Sequence, residues 1–351
     1  MTQNWLITGG AGFIGSNFVR QALEKTPHRL IILDALTYAG NLKNLEDCLD
    51  NPRVEFVKGS ILKNELVFSL FEKHAPDAVI HFAAESHVDR SILGPLPFIR
   101  TNIEGTFTLL EVARNHWDAN KTGGSRRFIH VSTDEVFGSL EKDDAPFSPT
   151  HPYQPSSPYS ASKAASDHLA RAWQHTFGLP VIITNCSNNF GPWQFPEKLI
   201  PLMILNAIDG KELPVYGDGL QIRDWLYVED HCEALLAVAE KGKVGETYTI
   251  GGSNEKTNLE IIHTLCKILD ENLKRKPGST AAQIKHVTDR RGHDRRYAID
   301  SSKIEKELGW KARHGFEEAL KQTVSWYQKN LDWCTSIRSG EYLEFYKKQY
   351  G

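Results

Sequence analysis

The chain has 351 residues, of which 40% are hydrophobic and 24% charged, and its formal net charge is −3. That length predicts about two domains of roughly 150 residues each, and neither the charge balance nor any apolar run favours nucleic acid or a membrane as a partner. The five cysteines are scattered without a Cys-x-x-Cys pair, which indicates neither a disulfide framework nor a zinc site and fits a reducing cytoplasm.

Short apolar runs rich in β-branched residues recur along the first half of the chain, with amphipathic stretches between them. These runs are residues 5–8, 29–34, 54–59, 78–84, 127–132 and 181–185. Strands that are apolar on both faces and alternate with helices predict a parallel sheet covered on both sides. Residues 102–116 and 159–177 have the apolar spacing of two of those helices.

After about residue 186 the sequence changes to loops rich in Gly, Pro and aromatic residues, interrupted by a predicted helix at 229–240 and a strand at 246–252. We predict an α/β fold: a Rossmann-type doubly wound parallel sheet with a smaller, mixed C-terminal substrate-binding domain. The predicted first domain is 1–185, with 224–250 returning to it, and the second is 186–223 and 251–351, with a mostly helical tail.

A glycine-rich turn, "ITGGAGFIGSNF", follows the first predicted strand. Gly10, Gly12 and Gly15 satisfy G-x-G-x-x-G, Gly9 adds an overlapping glycine, and Asp34 ends the next strand. This strand–turn–helix context with a following acid is typical of a dinucleotide site, because a helix N-terminus binds pyrophosphate. Asp34 would accept hydrogen bonds from a ribose diol and repel a 2′-phosphate, so NAD is favoured over NADP.

Further contacts to the cofactor are predicted at the ends of the third and fourth strands. Ser60 and Ile61 lie where an adenine contact is expected, and the small side chains of Ala83 and Ala84 leave room for a nucleotide. Taken singly, His87, Asp89 and Arg90 are expected to be members of a surface ion cluster.

Tyr159 and Lys163 are four residues apart, which places them on one face of a helix. A free tyrosine has a pKa of about 10 and is a poor base at neutral pH. A lysine ammonium one turn away, helped by the charge of nicotinamide, would favour the phenolate, which could take a proton from a sugar hydroxyl while hydride leaves to NAD. The predicted cofactor-binding residues are therefore Gly9, Gly12, Phe13, Ile14, Gly15, Asp34, Ser60, Ile61, Ala83, Ala84, Tyr159 and Lys163.

The fifth strand ends in "STDEVFG", where Thr133 precedes the neighbouring acids Asp134 and Glu135. Adjacent residues on an extended strand point to opposite faces. The two carboxyl groups therefore serve one site only if the chain turns at this point; otherwise they are surface charges of a loop.

The glycine motif, "STDEVFG", "YSASK", "NCSNNFGP" and "RDWLYVED" together resemble the extended short-chain dehydrogenase/reductase family, and within it the dTDP-glucose 4,6-dehydratases, over residues 4 to about 330. The resemblance implies NAD-dependent oxidation of dTDP-glucose at C4, elimination of water across C5–C6, and return of the hydride to C6. It further implies that Glu135 is the base at C5, Asp134 the acid at the C6 hydroxyl, and Thr133 a hydrogen-bond partner of the C4 oxygen. Such opposite roles require surroundings that separate the two pKa values.

A nucleotide sugar carries a diphosphate, which arginine binds through bidentate, charge-assisted hydrogen bonds. Arg223 and Arg290 are the candidates, and the resemblance also implies substrate contacts from Ser86, His87, Asn188, Lys198, Leu199, Asn258 and His293. No histidine pair has a metal-ligand spacing, so no metal is expected. The sequence departs from the family pattern at three places: Ser60 replaces an aspartate, Arg291 replaces a proline, and "NNFGPWQF" replaces the more usual "NNYGPYHF".

In the family, helices equivalent to 102–116 and 159–177 pair across a two-fold axis into a four-helix bundle, so a homodimer is predicted, with ordinary packing within one chain as the alternative. Two other functions stay open. A nucleotide-sugar 4-epimerase needs Tyr159, Lys163 and Thr133 but has no use for the acid pair. A non-catalytic NAD-sensing regulator keeps the glycine motif and can lose the Tyr–Lys pair.

Overall fold

The structure, a computed structural model, describes residues 2–119 and 126–338. The strands are β1 (Asn4–Thr8), β2 (Arg29–Asp34), β3 (Val54–Lys58), β4 (Ala78–His81), β5 (Arg127–Thr133), β6 (Val181–Cys186), β7 (Asn188–Phe190), β8 (Leu213–Tyr216), β9 (Ile222–Tyr227), β10 (Thr247–Ile250), β11 (Glu255–Thr257) and β12 (Ile284–Val287). The helices are α1 (Phe13–Lys25), α2 (Asn64–His74), α3 (Val88–Leu93), α4 (Leu96–Phe98), α5 (Thr106–Ala119), α6 (Pro158–Phe177), α7 (Leu199–Ile208), α8 (Val228–Lys241), α9 (Asn258–Asn272), α10 (Ser302–Leu308), α11 (Phe316–Lys329) and α12 (Leu331–Ile337).

The centre of the fold is a seven-stranded sheet in the order β10-β6-β5-β4-β1-β2-β3, in which every neighbouring pair is parallel. The strand order reverses beside β1, which pairs with both β2 and β4. In open α/β sheets, ligands bind in the crevice at the carboxyl ends of the strands beside such a reversal. The predicted doubly wound, Rossmann-type sheet is confirmed.

Helices cover both faces of this sheet, which explains why its strands are apolar on both sides. On β1, Trp5 and Ile7 pack with Phe18 of α1 in one core. Leu6 points to the opposite face and packs with Phe71 of α2. All are buried, and each such side chain stabilises the fold by about 1.5–3 kcal/mol.

The predicted helix at 102–116 is the later part of a longer helical segment. It begins at α4, continues as a π-helical stretch from Ile99 to Gly105, and becomes α-helical at α5. A Cβ atom on Gly105 would lie 2.5 Å from the Ile61 side chain, so this wider turn passes close to the end of β3. Within the described residues, no helix has the length and hydropathy needed to cross a bilayer.

The second region contains two small sheets, β11-β9-β7 and β12-β8, with a core formed by α7, α9, α11 and α12. Within residues 224–250, α8 packs on α1, and β10 pairs with the edge strand β6 of the central sheet. Ile304 of α10 is buried in the central-sheet core, although the predicted boundary puts α10 in the second domain. The predicted helical tail beyond residue 338 lies outside the described residues.

Candidate active site

A cleft lies at the carboxyl ends of β1, β2, β4, β5 and β6, where the sheet predicts a ligand site. One cavity of about 320 Å³ runs along these strand ends. A second, of about 160 Å³, lies between the central sheet and the second region. Glu135, Asn188 and Lys198 line both cavities, so the two form adjoining parts of one site.

The glycine turn forms one end of the larger cavity. Gly9 has φ +72°, and a Cβ atom there would lie 2.6 Å from the backbone nitrogen of Ala83. Only glycine fits a backbone that adopts this conformation and comes so close to its neighbour. A Cβ atom on Gly15 would collide with the Gly9 carbonyl, so α1 begins directly against the turn with its first N–H groups at the cleft.

Asp34 is held beside this turn at the end of β2. Its carboxylate accepts hydrogen bonds from the backbone N–H of Ala11 at 2.9 Å and of Leu36 at 2.8 Å. Burial raises the pKa of Asp34, and the two backbone hydrogen bonds oppose that rise. A cradle without room for Cβ atoms and an oriented carboxylate 23 residues past Ala11 together fit a dinucleotide.

The remaining predicted cofactor residues line the same cavity. Ser60 uses its hydroxyl to accept the backbone N–H of Leu62 at 3.2 Å, so its side chain caps the local turn. The cavity wall includes Gly9, Gly12, Phe13, Ile14, Gly15, Asp34, Ser60, Ile61, Ala83, Ala84, Tyr159 and Lys163. Their contacts with NAD stay a prediction.

The chain turns where the sequence places the acid pair. After Thr133 the backbone forms one 3₁₀ turn, Asp134–Phe137, and the Thr133 hydroxyl accepts the N–H of Glu135 at 3.3 Å. This turn directs both Asp134 and Glu135 to the larger cavity. The two carboxyl groups therefore face one cleft, although they are neighbours in the sequence.

The surroundings of the two carboxyl groups differ. Burial, reinforced by the charge of Glu135, raises the pKa of Asp134 well above its ordinary value. Within the described residues, Asp134 Oδ2 is buried without a hydrogen-bond partner. Burial also raises the pKa of Glu135, but the positive charges of Arg290, Lys198 and Arg223 oppose that rise. Asp134 therefore holds its proton more strongly than Glu135 does.

Tyr159 and Lys163 face the same cavity from α6. This helix begins with a capping box between Ser157 and Ser160 and with Pro158 in its first turn, which together fix the position of that turn. A side-chain hydrogen bond joins Tyr159 to Thr133, so the phenol meets the end of β5.

Within the protein itself, the pKa of the Tyr159 phenol is raised and not lowered. Burial and the charge of Glu135 raise the pKa of Tyr159 well above its ordinary value. Burial also lowers the pKa of Lys163, whose ammonium donates to the Val131 carbonyl at 2.9 Å. The phenolate thus depends on further positive charge beside the ring, which nicotinamide carries.

The two predicted arginines lie in the second cavity. Arg223 is buried, donates to the Asp294 carbonyl at 2.9 Å, and stacks over Tyr297 with its guanidinium carbon 4.1 Å from the ring centre. Arg290 approaches Asp89 at 3.6 Å. Both guanidinium groups are thereby held at the wall of the cavity.

The other predicted substrate residues lie around the same space. Ser86 lines the larger cavity, and its carbonyl accepts the Lys198 ammonium at 2.9 Å. The second cavity is lined by His87, Asn188, Lys198, Leu199, Asn258 and His293. Among residues 2–119 and 126–338, no three His, Cys, Asp or Glu side chains are grouped as a metal site requires.

The sequence analysis did not predict that Asp89, Tyr216 and Glu197 belong to this site. Asp89, expected on the surface, is buried and accepts the Tyr216 hydroxyl at 3.1 Å. Glu197 is also buried and accepts Arg90 Nε at 2.9 Å. No motif in the sequence indicates these pairs, because their members lie more than 100 residues apart and meet only when the second region folds onto the first.

A family model described as GDP-mannose 4,6 dehydratase matches residues 6–323. The chain belongs to this family. It is 54% identical to the dTDP-glucose 4,6-dehydratase of Shigella flexneri, over 98% of each chain. Among solved structures, the dTDP-glucose 4,6-dehydratase of Streptomyces venezuelae with NAD bound matches with a TM-score of 0.87 and 46% identity, covering 95% of this chain and 99% of that one.

The fold is also shared with enzymes that catalyse a different reaction. The UDP-glucose 4-epimerase of Thermotoga maritima matches with a TM-score of 0.81 and 30% identity, over 93% of this chain and 99% of that one. The resemblance to dTDP-glucose 4,6-dehydratases is confirmed at much higher identity. A common fold does not decide between the two reactions, which differ in the groups that the site offers.

Proposed function

We propose that the chain is an NAD-dependent dTDP-glucose 4,6-dehydratase that forms dTDP-4-keto-6-deoxy-glucose. The observation that carries this proposal is the 3₁₀ turn after β5, which directs Asp134 and Glu135 into the cleft that also contains Tyr159. Elimination of water needs an acid and a base in addition to the oxidising residues. The identity of 54% to a dTDP-glucose 4,6-dehydratase supports the same reaction.

In the first step Thr133 and Tyr159 would bind the C4 hydroxyl, and Tyr159 would take its proton. Lys163, one turn further on the same helix, would favour the phenolate that accepts this proton. When bound, NAD supplies the redox chemistry: it accepts a hydride from C4 and returns it to C6. The resulting C4 ketone acidifies the proton at C5.

In the second step the two carboxyl groups would divide the proton transfers. Burial raises the pKa of Glu135, but three positive charges oppose that rise, so Glu135 would be the group that removes the C5 proton. Asp134, whose pKa is raised by burial, would give its proton to the C6 hydroxyl, which leaves as water. Glu135 then returns its proton to C5 as C6 receives the hydride. Tyr159 ends the turnover with one proton more and Asp134 with one fewer, and exchange with solvent restores both.

We further propose that Arg223 and Arg290 bind the diphosphate of the substrate. Both line the second cavity, which continues from Glu135 away from the dinucleotide cradle. Their guanidinium groups offer the planar donor pairs that suit phosphate oxygens. The sugar would then lie between these arginines and the acid pair.

The proposed reaction is tested with dTDP-glucose that carries deuterium at C4. The purified protein should convert it to a 4-keto product with deuterium at C6, detected by NMR and mass spectrometry. An epimerase would instead give dTDP-galactose, and an NAD-sensing regulator would leave the sugar unchanged. Either of these results would refute the dehydratase proposal.

We also propose a cytoplasmic homodimer formed through α5 and α6. Exposed apolar side chains on this side of the molecule include Leu96 at 57%, Ile99 at 45%, Phe107 at 44% and Phe177 at 46%. Single exposed apolar residues are normal on a protein surface, whereas a group of them indicates an interaction surface. The described cysteines are free and buried, which suits a reducing compartment.

A further inference from the structure

A buried carboxylate beneath the cleft has no role in the steps above. Asp167 lies on α6, four residues after Lys163, and has no exposed surface. It accepts the Tyr153 hydroxyl at 2.7 Å and the Asn185 side-chain amide at 3.1 Å. His130 Nε2 lies 3.0 Å from its other oxygen. A fully buried acid with this many polar neighbours is held in one position.

Asn185 connects Asp167 to the catalytic turn. The same amide nitrogen that donates to Asp167 also donates to the backbone carbonyl of Thr133 at 3.0 Å. Thr133 is the last residue of β5, and its hydroxyl caps the turn that carries the acid pair. Asp167 thereby fixes the donor that holds the end of β5, without touching the cleft itself.

Asp167 also differs in charge from the other groups that face Lys163. These are His81 on β4, His130 on β5 and Cys186 on β6. Burial lowers the pKa of both histidines and raises that of the thiol, so all three are neutral near pH 7.

The remaining neighbours do not supply a negative charge either. Tyr159 on α6 and Asp134, which faces Cys186, both have pKa values raised well above normal by burial. Arg171, which donates to the Tyr153 hydroxyl at 2.8 Å, carries a guanidinium and no acidic group. Burial raises the pKa of Asp167 too, but the hydrogen bonds from His130 and Ser132 and the charge of Lys163 outweigh that effect, so Asp167 stays ionised.

We propose that Asp167 is a positioning residue for the reaction: it is the buried counter-ion of Lys163 and, through Asn185, it holds the Thr133 end of β5. A buried ammonium is strongly disfavoured unless an opposite charge pairs with it. The inference rests on the proposed function in one respect, namely that Lys163 acts as an ammonium beside Tyr159.

The test replaces Asp167 by the isosteric Asn in the full-length protein. Asp167→Asn keeps an oxygen that can accept from Tyr153 and Asn185 but removes the charge. We expect a thermal unfolding midpoint close to that of the parent, and kcat at least tenfold lower above neutral pH. The alkaline fall in kcat should move to lower pH by about one unit or more, because an adjacent opposite charge shifts a pKa by about 1–3 units.

Tyr153→Phe is the matched control. It removes the hydrogen bond to the same carboxylate and leaves the charge in place. The alkaline limb of Tyr153→Phe should coincide with that of the parent. A merely structural role for Asp167 would lower kcat equally at every pH, and an unshifted limb in Asp167→Asn overturns the proposal.

A second measurement separates this proposal from the proposed function. Lysine labelled with ¹³C at Cε gives NMR signals that report each ammonium, and Lys163→Met identifies the signal of Lys163. Its titration midpoint should be lower in Asp167→Asn than in the parent. An unchanged midpoint overturns the inference even if the enzyme dehydrates dTDP-glucose. A lowered midpoint supports it even if the substrate proves to be another nucleotide sugar.

Discussion

At the scale of single residues, the site depends on giving two adjacent carboxyl groups different affinities for a proton. Asp134 is buried beside a negative neighbour, whereas Glu135 faces three cationic side chains. The covalent chemistry of the two side chains is nearly the same, so the difference comes from their environment. Each role can therefore be tested by a change that removes one proton or one charge.

Asp134→Asn is expected to block elimination while leaving oxidation possible. An amide at this position cannot give a proton to the leaving C6 hydroxyl, so kcat should fall by about 10²–10⁴-fold. Added dTDP-glucose should then produce the near-ultraviolet absorbance of reduced nicotinamide without product. Tyr159→Phe is the control and should produce no such absorbance. Normal turnover by Asp134→Asn would contradict the assignment of the acid.

The pH dependence should report the ionisation of Glu135. A base must be ionised, so kcat falls as the pH drops through the pKa of Glu135 in the folded enzyme. Burial raises that pKa, so the acid limb should lie above the ordinary glutamate value of about 4.3. Lys198 opposes this rise, and Lys198→Met should therefore move the limb to still higher pH.

The kcat–pH profiles of the parent and of Lys198→Met provide this measurement. Glu135→Gln should lower kcat at every pH and remove the acid limb. A parent limb at or below the ordinary glutamate value would contradict the proposed base.

The acid pair could be predicted from the sequence because both residues lie in one short motif at a strand end. The other charged residues around the cleft could not all be predicted in the same way. Arg223 and Arg290 stand in recognisable segments, whereas Asp89 and Glu197 look like ordinary surface acids until the second region packs over them. Spacing along the chain carries no information about contacts made across more than 100 residues.

At the scale of elements, the strands and helices of the first domain follow from apolar periodicity, but their ends depend on neighbours. The predicted strand 78–84 ends at His81, because its pairing stops at Thr8, where β1 turns into the glycine motif at Gly9. The π-helical stretch before α5 has no periodic signature of its own. Its last residue, Gly105, lies so close to Ile61 that a Cβ atom would not fit there.

Loops from different elements close the cofactor side of the cleft. Arg90 of α3 pairs with Glu197 in the loop before α7, and its guanidinium carbon lies 3.8 Å from the centre of the Tyr38 ring. Tyr38 follows β2, and its ring packs edge-on against Phe195. The ion pair thus joins the central sheet to the second region beside the cavity.

Arg90→Ala is expected to lower the free energy of unfolding by about 3 kcal/mol, because it removes the partner of a buried carboxylate. The Glu197 side chain is 1% exposed, so water cannot replace the lost charge. Lys211→Ala is the control: it removes an ion pair with Asp209 whose side chains are 51% and 30% exposed. Lys211→Ala should change the free energy of unfolding by less than about 1 kcal/mol. Urea unfolding measures both, and equal losses would contradict the argument.

At the scale of the whole molecule, α5 and α6 carry large apolar side chains that are exposed to solvent. Phe107 and Phe177 both pack edge-on against Trp173, with ring centres 5.7 and 5.5 Å apart. Leu96 and Ile99 continue this surface before α5. Packing within one chain accounts for Trp173 but leaves the two phenylalanines 44% and 46% exposed.

A second copy of the chain would cover these side chains. Two helices from each copy would pack across a two-fold axis as a four-helix bundle and bury the exposed apolar side chains of α5 and α6 against each other. Sedimentation of the parent at micromolar concentration should give twice the chain mass of 39.6 kDa. Phe107→Asp places a charge in the centre of the proposed interface and should give the mass of one chain. Leu331→Asp is the matched control, since Leu331 is 42% exposed and begins α12, which packs against α11 in the second region. A parent that sediments as one chain, or a Phe107→Asp variant that stays paired, would contradict dimerisation through these helices.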